Sequence, residues 1–280
     1  MKTGQKQPLW RRILAHLRPA PLMQRGPEAC GAGDDTASSP LPGDLSVRQL
    51  WDCSLPDILD LSDAVSTRAE CSEAVRQVLE LKPERLDPAL LHDGERALPA
   101  EPRFIESGYS RMMLARYLVP GSLHCRGRSV LDSGCGLGWG SFLLSRFAAR
   151  VVAHDRDPDV VEFARRTWPA DNIEWLAGDC LDERFLAGRR FDVVTSMETI
   201  EHFHREDAVR YLAWMTFRLE PDGLLIGTSG FPPTREEAEQ LAARNPHHPH
   251  IFTEQEFLGL LRQHFARAAI IGNWMFLAMR

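Results

Sequence analysis

Val130-Leu131-Asp132-Ser133-Gly134-Cys135-Gly136-Leu137-Gly138-Trp139-Gly140 limits the folds open to this chain more than any other stretch. A short apolar run ends in an acid, glycines then fall at alternate positions, and Ser141 to Phe147 resumes with helical spacing. Strand, tight glycine turn, helix is the entry to a nucleotide-binding α/β unit. Glycine is needed where the chain turns with positive φ and where a ligand approaches too closely for a Cβ. The helix behind such a turn offers unpaired N–H groups and a partial positive charge.

Further strand-like runs follow in order. Val151-Val152-Ala153-His154-Asp155 ends in an acid seventeen residues after Gly138. A carboxylate at that point can accept hydrogen bonds from both hydroxyls of a ribose. Asp157-Pro158 supplies an N-cap and an N1 proline for a helix over Asp159 to about Trp168. Ile173 to Ala177 reads as a third strand, ending in Gly178-Asp179-Cys180, and Phe191 to Met197 as a fourth. Beyond it come an apolar helix over Glu206 to Leu219, a turn at Glu220-Pro221-Asp222-Gly223 and a fifth strand over Leu224 to Ser229. A helix over Arg235 to Arg244, a His/Pro loop, a helix capped by Thr253 and a closing hairpin over Ala266–Ile271 and Trp274–Met279 complete the pattern.

The segment from about Ser129 to Arg280 resembles class I S-adenosylmethionine-dependent methyltransferases. VLDSGCGLGWG, VVAHD, AGDC, FDVVTSMETIEHF and RLEPDGLLIGTS carry the resemblance, in the family's order and spacing. It implies an α/β fold with a Rossmann-like, mostly parallel seven-stranded sheet flanked by helices, and S-adenosyl-L-methionine as methyl donor. It also implies roles. Gly134, Cys135, Gly136 and Gly138 would cradle the methionine portion, with Asp132 near its amino group and Met197 at the end of the fourth strand beside it. Asp155 and Arg156 would hold the ribose, and Asp179 with Cys180 would bracket the adenine. A nicotinamide dehydrogenase fits less well, because the glycines do not follow G-x-G-x-x-G.

Glu198-Thr199-Ile200-Glu201-His202 is the sharpest local feature outside the glycine turn. If the chain turns helical after Met197, positions i, i+3 and i+4 share one face, and two carboxylates meet an imidazole at the sheet edge. Asn245-Pro246-His247-His248-Pro249-His250 adds a second source of imidazole. E-x-x-E-H with a distant histidine resembles the small-RNA 3′-terminal 2′-O-methyltransferases, where such a set holds a divalent metal. Ubiquinone-pathway O-methyltransferases share the E-x-x-E-H part. The set falls here on Glu198, Glu201, His202 and His248. Two carboxylates suit Mg²⁺, and two imidazoles shift the preference towards Mn²⁺, Fe²⁺ or Zn²⁺. Two other readings stand beside the metal: Glu198 or His202 as a metal-free catalytic base, or a solvated first helical turn.

Ahead of the sheet, Gly94-Glu95-Arg96-Ala97-Leu98-Pro99 resembles a Gly-Glu-Arg-x-x-Pro signature of saccharide- and lipopolysaccharide-associated methyltransferases. That subgroup has a His and an Arg-Tyr pair in the next helix, whereas this chain reads Glu106-Ser107-Gly108-Tyr109-Ser110-Arg111-Met112. Tyr109 and Arg111 are therefore candidates for covering the methyl-donor end. The departure puts the form of the substrate lid in doubt.

The chain divides into a basic, then low-complexity tail over 1–45, a helical cap and substrate lid over 46–125, and the S-adenosylmethionine-binding domain over 126–280. The tail reads as disordered, against a peripheral membrane or partner contact and an organelle transit peptide. No apolar run approaches the ~18 residues of a spanning helix. Six scattered cysteines without a C-x-x-C pair read as reduced thiols in a cytoplasmic protein. A net charge of -6 gives no global attraction to nucleic acid. The resemblances of the Gly94–Pro99 element and of the E-x-x-E-H set imply O-methylation of a small, hydroxylated, sugar-like partner. A terminal RNA ribose and a non-catalytic S-adenosylmethionine-binding subunit stand as alternatives, and the oligomeric state is left open.

Overall fold

The computed structural model describes residue 51 and residues 53–280. The tail over 1–45 lies outside them. Four helices come first: α1 (Leu55–Ser66), α2 (Ser72–Glu80), α3 (Pro102–Ser107) and α4 (Tyr109–Pro120). Seven strands follow with helices between them: β1 (Ser129–Ser133), α5 (Trp139–Leu144), β2 (Arg150–Asp155), α6 (Pro158–Thr167), β3 (Ile173–Ala177), β4 (Phe191–Met197), α7 (Arg205–Phe217) and β5 (Leu219–Thr228). The chain closes with α8 (Arg235–Ala242), α9 (Glu254–His264), β6 (Arg267–Ile271) and β7 (Met275–Met279).

The strands form one sheet in the order β3-β2-β1-β4-β5-β7-β6, parallel except where β7 runs against β5 and β6. This is the expected Rossmann-like α/β architecture with N-terminal helices. Strands covered on both faces read as continuous apolar runs, and Val130, Leu131, Val151, Val152, Val193 and Val194 are all fully buried. From β1 the chain steps outward through β2 and β3, then returns to pair β4 on the other side of β1. Ligands bind in the crevice at such a reversal, outside the carboxyl ends of the strands.

Two local expectations change. The turn at Glu220–Gly223 does not precede the fifth strand but bulges within it: Phe191 pairs with Leu219, and the next pair is Val193 with Leu224. Pro221 and Asp222 are exposed there, so the proline loses no ladder partner. Glu198 to His202 is not a continuous helical turn either. Glu198 has a left-handed backbone (φ +50°), and only Ile200–His202 is helical, as a single 3₁₀ turn. The three side chains therefore do not project from one α-helical face.

Candidate functional site at the β1/β4 crevice

The glycine turn leaves β1 through three left-handed residues, with φ of +74° at Gly134, +52° at Gly136 and +80° at Gly138. The end of β2 holds it in place. His154 O accepts from Gly134 N (3.0 Å) and Cys135 N (2.9 Å), and Asp155 Oδ2 accepts from Gly136 N at 3.0 Å. Asp155 Oδ1 accepts from Asp157 N at 3.1 Å. A carboxylate has about four lone-pair directions, so acceptor capacity remains for a ligand. Arg156 and Asp179 are exposed nearby. Asp179 Oδ1 accepts from Leu181 N at 2.8 Å, and burial, with the Asp179 charge second, pushes the Cys180 thiol up to about 12.

Asp132, near the end of β1, turns its carboxyl into the interior. It is fully buried, and its oxygens accept from Ser141 Oγ (2.5 Å) and Thr195 Oγ1 (2.7 Å). Burial pushes its pKa up to about 6, against those two hydrogen bonds. The carboxyl braces β1 against α5 and β4. Met197, at the end of β4, is buried and accepts a long contact from Thr228 Oγ1 (3.8 Å).

The opposite wall is polar and short of partners. Glu198 faces Arg116 of α4, with Oε1 to Nη1 at 3.5 Å. Glu198 Oε1, Glu201 Oε2 and Arg116 Nε are buried atoms with no hydrogen-bond partner. Buried polar atoms are nearly always paired, so these three leave spare acceptor and donor capacity in the crevice wall. Burial, with the Glu198 charge second, raises the Glu201 carboxyl well above its ordinary value. Tyr109 stands in the same electrostatic neighbourhood, pushed up to about 12 by burial and then by Glu198.

Histidine 202 and histidine 248, far apart in sequence, do meet: their ring centroids lie 4.8 Å apart, nearly perpendicular. Burial lowers His202 to about 4, helped by the neighbouring His248, so its imidazole is neutral. The carboxylate that joins them is Glu95. Its Oε2 lies 3.1 Å from His248 Nε2, and ligand atoms of Glu95, His202 and His248 all fall within 4.8 Å of one another. Among the described residues no other trio of His, Cys, Asp or Glu comes together in this way. The four-residue set read from the sequence is thus redrawn, with Glu198 and Glu201 outside the cluster and Glu95 inside it.

Glu95 and Arg96 span the crevice from consecutive positions. Glu95 Oε1 accepts from Asn245 Nδ2 (3.1 Å), while Arg96 reaches Asp157 (2.9 Å) and Asp155 (3.6 Å). Trp139 Nε1 donates to Ala97 O at 3.1 Å and fastens the same segment to α5. Arg111 leaves the site altogether: it pairs with Asp60 and Asp63 of α1 on the surface. Arg116, five residues on, is the arginine of α4 that enters the crevice.

Residues 130–223 match a family described as a methyltransferase domain. A probable S-adenosylmethionine-dependent methyltransferase of Mycobacterium tuberculosis is 31% identical over 181 residues, which cover 62% of this chain and 61% of that protein. Another, from Mycolicibacterium smegmatis, is 32% identical over 141 residues, covering 49% and 51%. The chain therefore spans between about half and three-fifths of the length of these curated relatives. An O-methyltransferase family protein from Burkholderia thailandensis shares the fold, with a TM-score of 0.54 at 19% identity over 80% of this chain and 70% of that one.

Proposed function

We propose that this chain, which carries a class I S-adenosylmethionine-dependent methyltransferase domain, moves a methyl group from S-adenosylmethionine to a hydroxyl oxygen of a sugar-like small molecule. The observation that carries this reading is the pairing, across one crevice, of the glycine turn locked to Asp155 with the partner-poor wall of Glu198, Glu201 and Arg116. Gly134, Cys135, Gly136 and Gly138 underlie the methionine end of the donor. Asp155 and Arg156 take the ribose, Asp179 and Cys180 the adenine, and Met197 the floor between donor and acceptor. Asp132 acts from inside by holding the turn. Residues 46–125 serve as cap and lid.

In the transfer a carbon–sulfur bond breaks, a carbon–oxygen bond forms and the hydroxyl proton leaves. Holding the three atoms in line supplies most of the acceleration. Proton removal is the second part, and Glu198 is the group at the crevice with a free acceptor oxygen. Neutral His202 stands beside it. Thermal-shift titration should show stabilisation by S-adenosylhomocysteine and none by NAD. Stabilisation by NAD alone would overturn the reading, and Asp155→Ala should weaken S-adenosylhomocysteine binding by about tenfold or more.

A divalent ion on Glu95, His202 and His248 belongs to the same reading. Neutral imidazoles and a carboxylate are the donor types that Mn²⁺, Fe²⁺ and Zn²⁺ accept, and the low pKa of His202 keeps it in the ligating form. When bound, the ion would lower the cost of charge on an acceptor oxygen. Titration with Co²⁺, followed by its visible absorption, should saturate at one ion per chain. His202→Ala and His248→Ala should each abolish that absorption; a parent protein that never takes up Co²⁺ would sink the ion while leaving the methyl transfer standing.

A further inference from the structure

The crossover from β3 to β4 runs over residues 178–190 through turns alone. Parallel strands are usually joined by a helix that covers the sheet. Without one, the flank beside α7 stays open, and a cavity of about 430 Å³ lies between this crossover and that helix. Neither Gly136, Asp155, Glu198 nor His202 lines it. It is a second concavity, apart from the β1/β4 crevice.

Its walls combine an apolar shelf with an excess of cations. Trp214 is buried behind it, and Phe217 stands at its lip, 62% exposed. Arg189, Arg190, Arg210 and Arg218 line it, against the single acid Glu183. Two of the four arginines are neutralised: Arg189 grips Glu174 with two bonds (2.9 and 2.5 Å), and Arg210 reaches Asp207 at 2.8 Å. The other two have no carboxylate partner among the described residues. Arg190 Nη1 donates to Leu219 O (2.7 Å). Arg218 Nη2 donates to Glu183 O (3.2 Å) and Phe185 O (3.0 Å), and its guanidinium lies 5.2 Å from the centre of the Trp214 ring.

Arg218 is the telling residue. It is only 7% exposed, and its buried Nε has no hydrogen-bond partner. A buried cation without a counter-charge is costly, and an unpaired donor adds to the cost. Burial, and then the nearby Arg190 charge, lower its pKa, which agrees with a cation short of compensation. An anion between Arg190 and Arg218 would relieve both debts. Exposed Phe217 would gain a partner from whatever flat, apolar body that anion carries.

We propose that this cavity binds a small organic anion with an aromatic body, its carboxylate, sulfonate or phosphate on Arg190 and Arg218 and its ring against Phe217 and Trp214. A guanidinium pair suits planar or tetrahedral oxyanions, and a volume of about 430 Å³ suits a molecule of one to three rings. The proposal is independent of how the β1/β4 crevice is used. The two meet only at Cys180, which lines this cavity and also belongs to the proposed adenine contact.

The test is a fluorescence titration of the full chain with 1-anilinonaphthalene-8-sulfonate, with and without saturating S-adenosylhomocysteine. Binding should be saturable and should persist in the presence of the nucleoside. Arg190→Ala and Phe217→Ser, both at exposed positions that leave the core intact, should each weaken it by about tenfold or more. Arg262→Ala, on the exposed side of α9, should leave it unchanged. Phenyl phosphate should compete, and uncharged phenol should not. Equal binding by the parent and the two cavity variants would overturn the proposal, as would displacement of the probe by S-adenosylhomocysteine.

Discussion

At Gly136 an added Cβ would meet nothing nearer than Arg96 Cγ at 4.0 Å, whereas at Gly138 it would lie 2.5 Å from Ala164 Cβ and 2.8 Å from the Trp175 ring. Both residues have positive φ, which costs a side-chain-bearing residue roughly 1–2 kcal/mol. Gly138→Ala adds overpacking and should lose about 3 kcal/mol of stability in urea unfolding. Gly136→Ala should lose only the backbone share, about 1–2 kcal/mol, yet weaken S-adenosylhomocysteine binding because its methyl projects into the crevice. The opposite ordering would contradict packing as the stronger constraint at Gly138 and ligand approach as the stronger one at Gly136. Such residues are legible in sequence because a strand, a turn and a strand-end acid are neighbours along the chain. Glu95 and Arg116 are not, since their partners Asn245, His248 and Glu198 lie on distant elements. Arg111 reads as well as Arg116 because α4 is buried almost throughout, leaving no polar face by which to orient it.

Among the elements, the helix ends are the best-specified parts of the sequence. Thr253 accepts from Glu256 N (3.2 Å), and Glu256 Oε2 accepts from Thr253 N (2.9 Å), a reciprocal capping box at the start of α9. Ser54 and Asp57 form the same device on α1. Thr253→Ala should cost about 1 kcal/mol in urea unfolding, and Thr253→Ser should restore most of it. An unchanged midpoint for the alanine variant would show that packing alone sets the helix start. The Glu198–His202 turn was harder to read, for a physical reason. A left-handed Glu198 is set by the end of β4 and its bond from Glu198 N to Thr228 O (2.9 Å), neither of which is encoded in local spacing.

For the whole molecule, buried titrating groups tie stability to pH. Burial lowers His124 to about 4 and His154 to about 3, so on acidification the unfolded chain takes up protons near pH 6.5 that the folded chain refuses. Their contribution is full above pH 6.5 and is lost as pH falls through that range towards 4. Asp132 acts in the opposite sense. Its folded pKa of about 6 lies above the ordinary 3.8, so the folded chain binds its proton first and gains stability as pH falls between those values. His202, lowered to about 4, joins the other two histidines, so three histidines refuse protons where Asp132 and Glu201 bind theirs early, and stability falls as pH drops from about 6 towards 4. Asp132→Asn should steepen that slope by about 1.4 kcal/mol per unit, measured by urea midpoints from pH 6 to 4. Equal slopes for parent and variant would rule out a strained carboxyl under the turn.

At this scale the sheet and its reversal point were written in the order of apolar runs, while the way the crevice is bridged was not. Adjacent residues, Glu95 and Arg96, hold opposite banks: one the histidine loop, the other the acids at the end of β2. A ligand that binds Asp155 therefore acts one residue along the chain from the carboxylate that holds His248. Occupancy of one bank is expected to change affinity at the other by the same factor in both directions, which titration of Co²⁺ with and without S-adenosylhomocysteine would read.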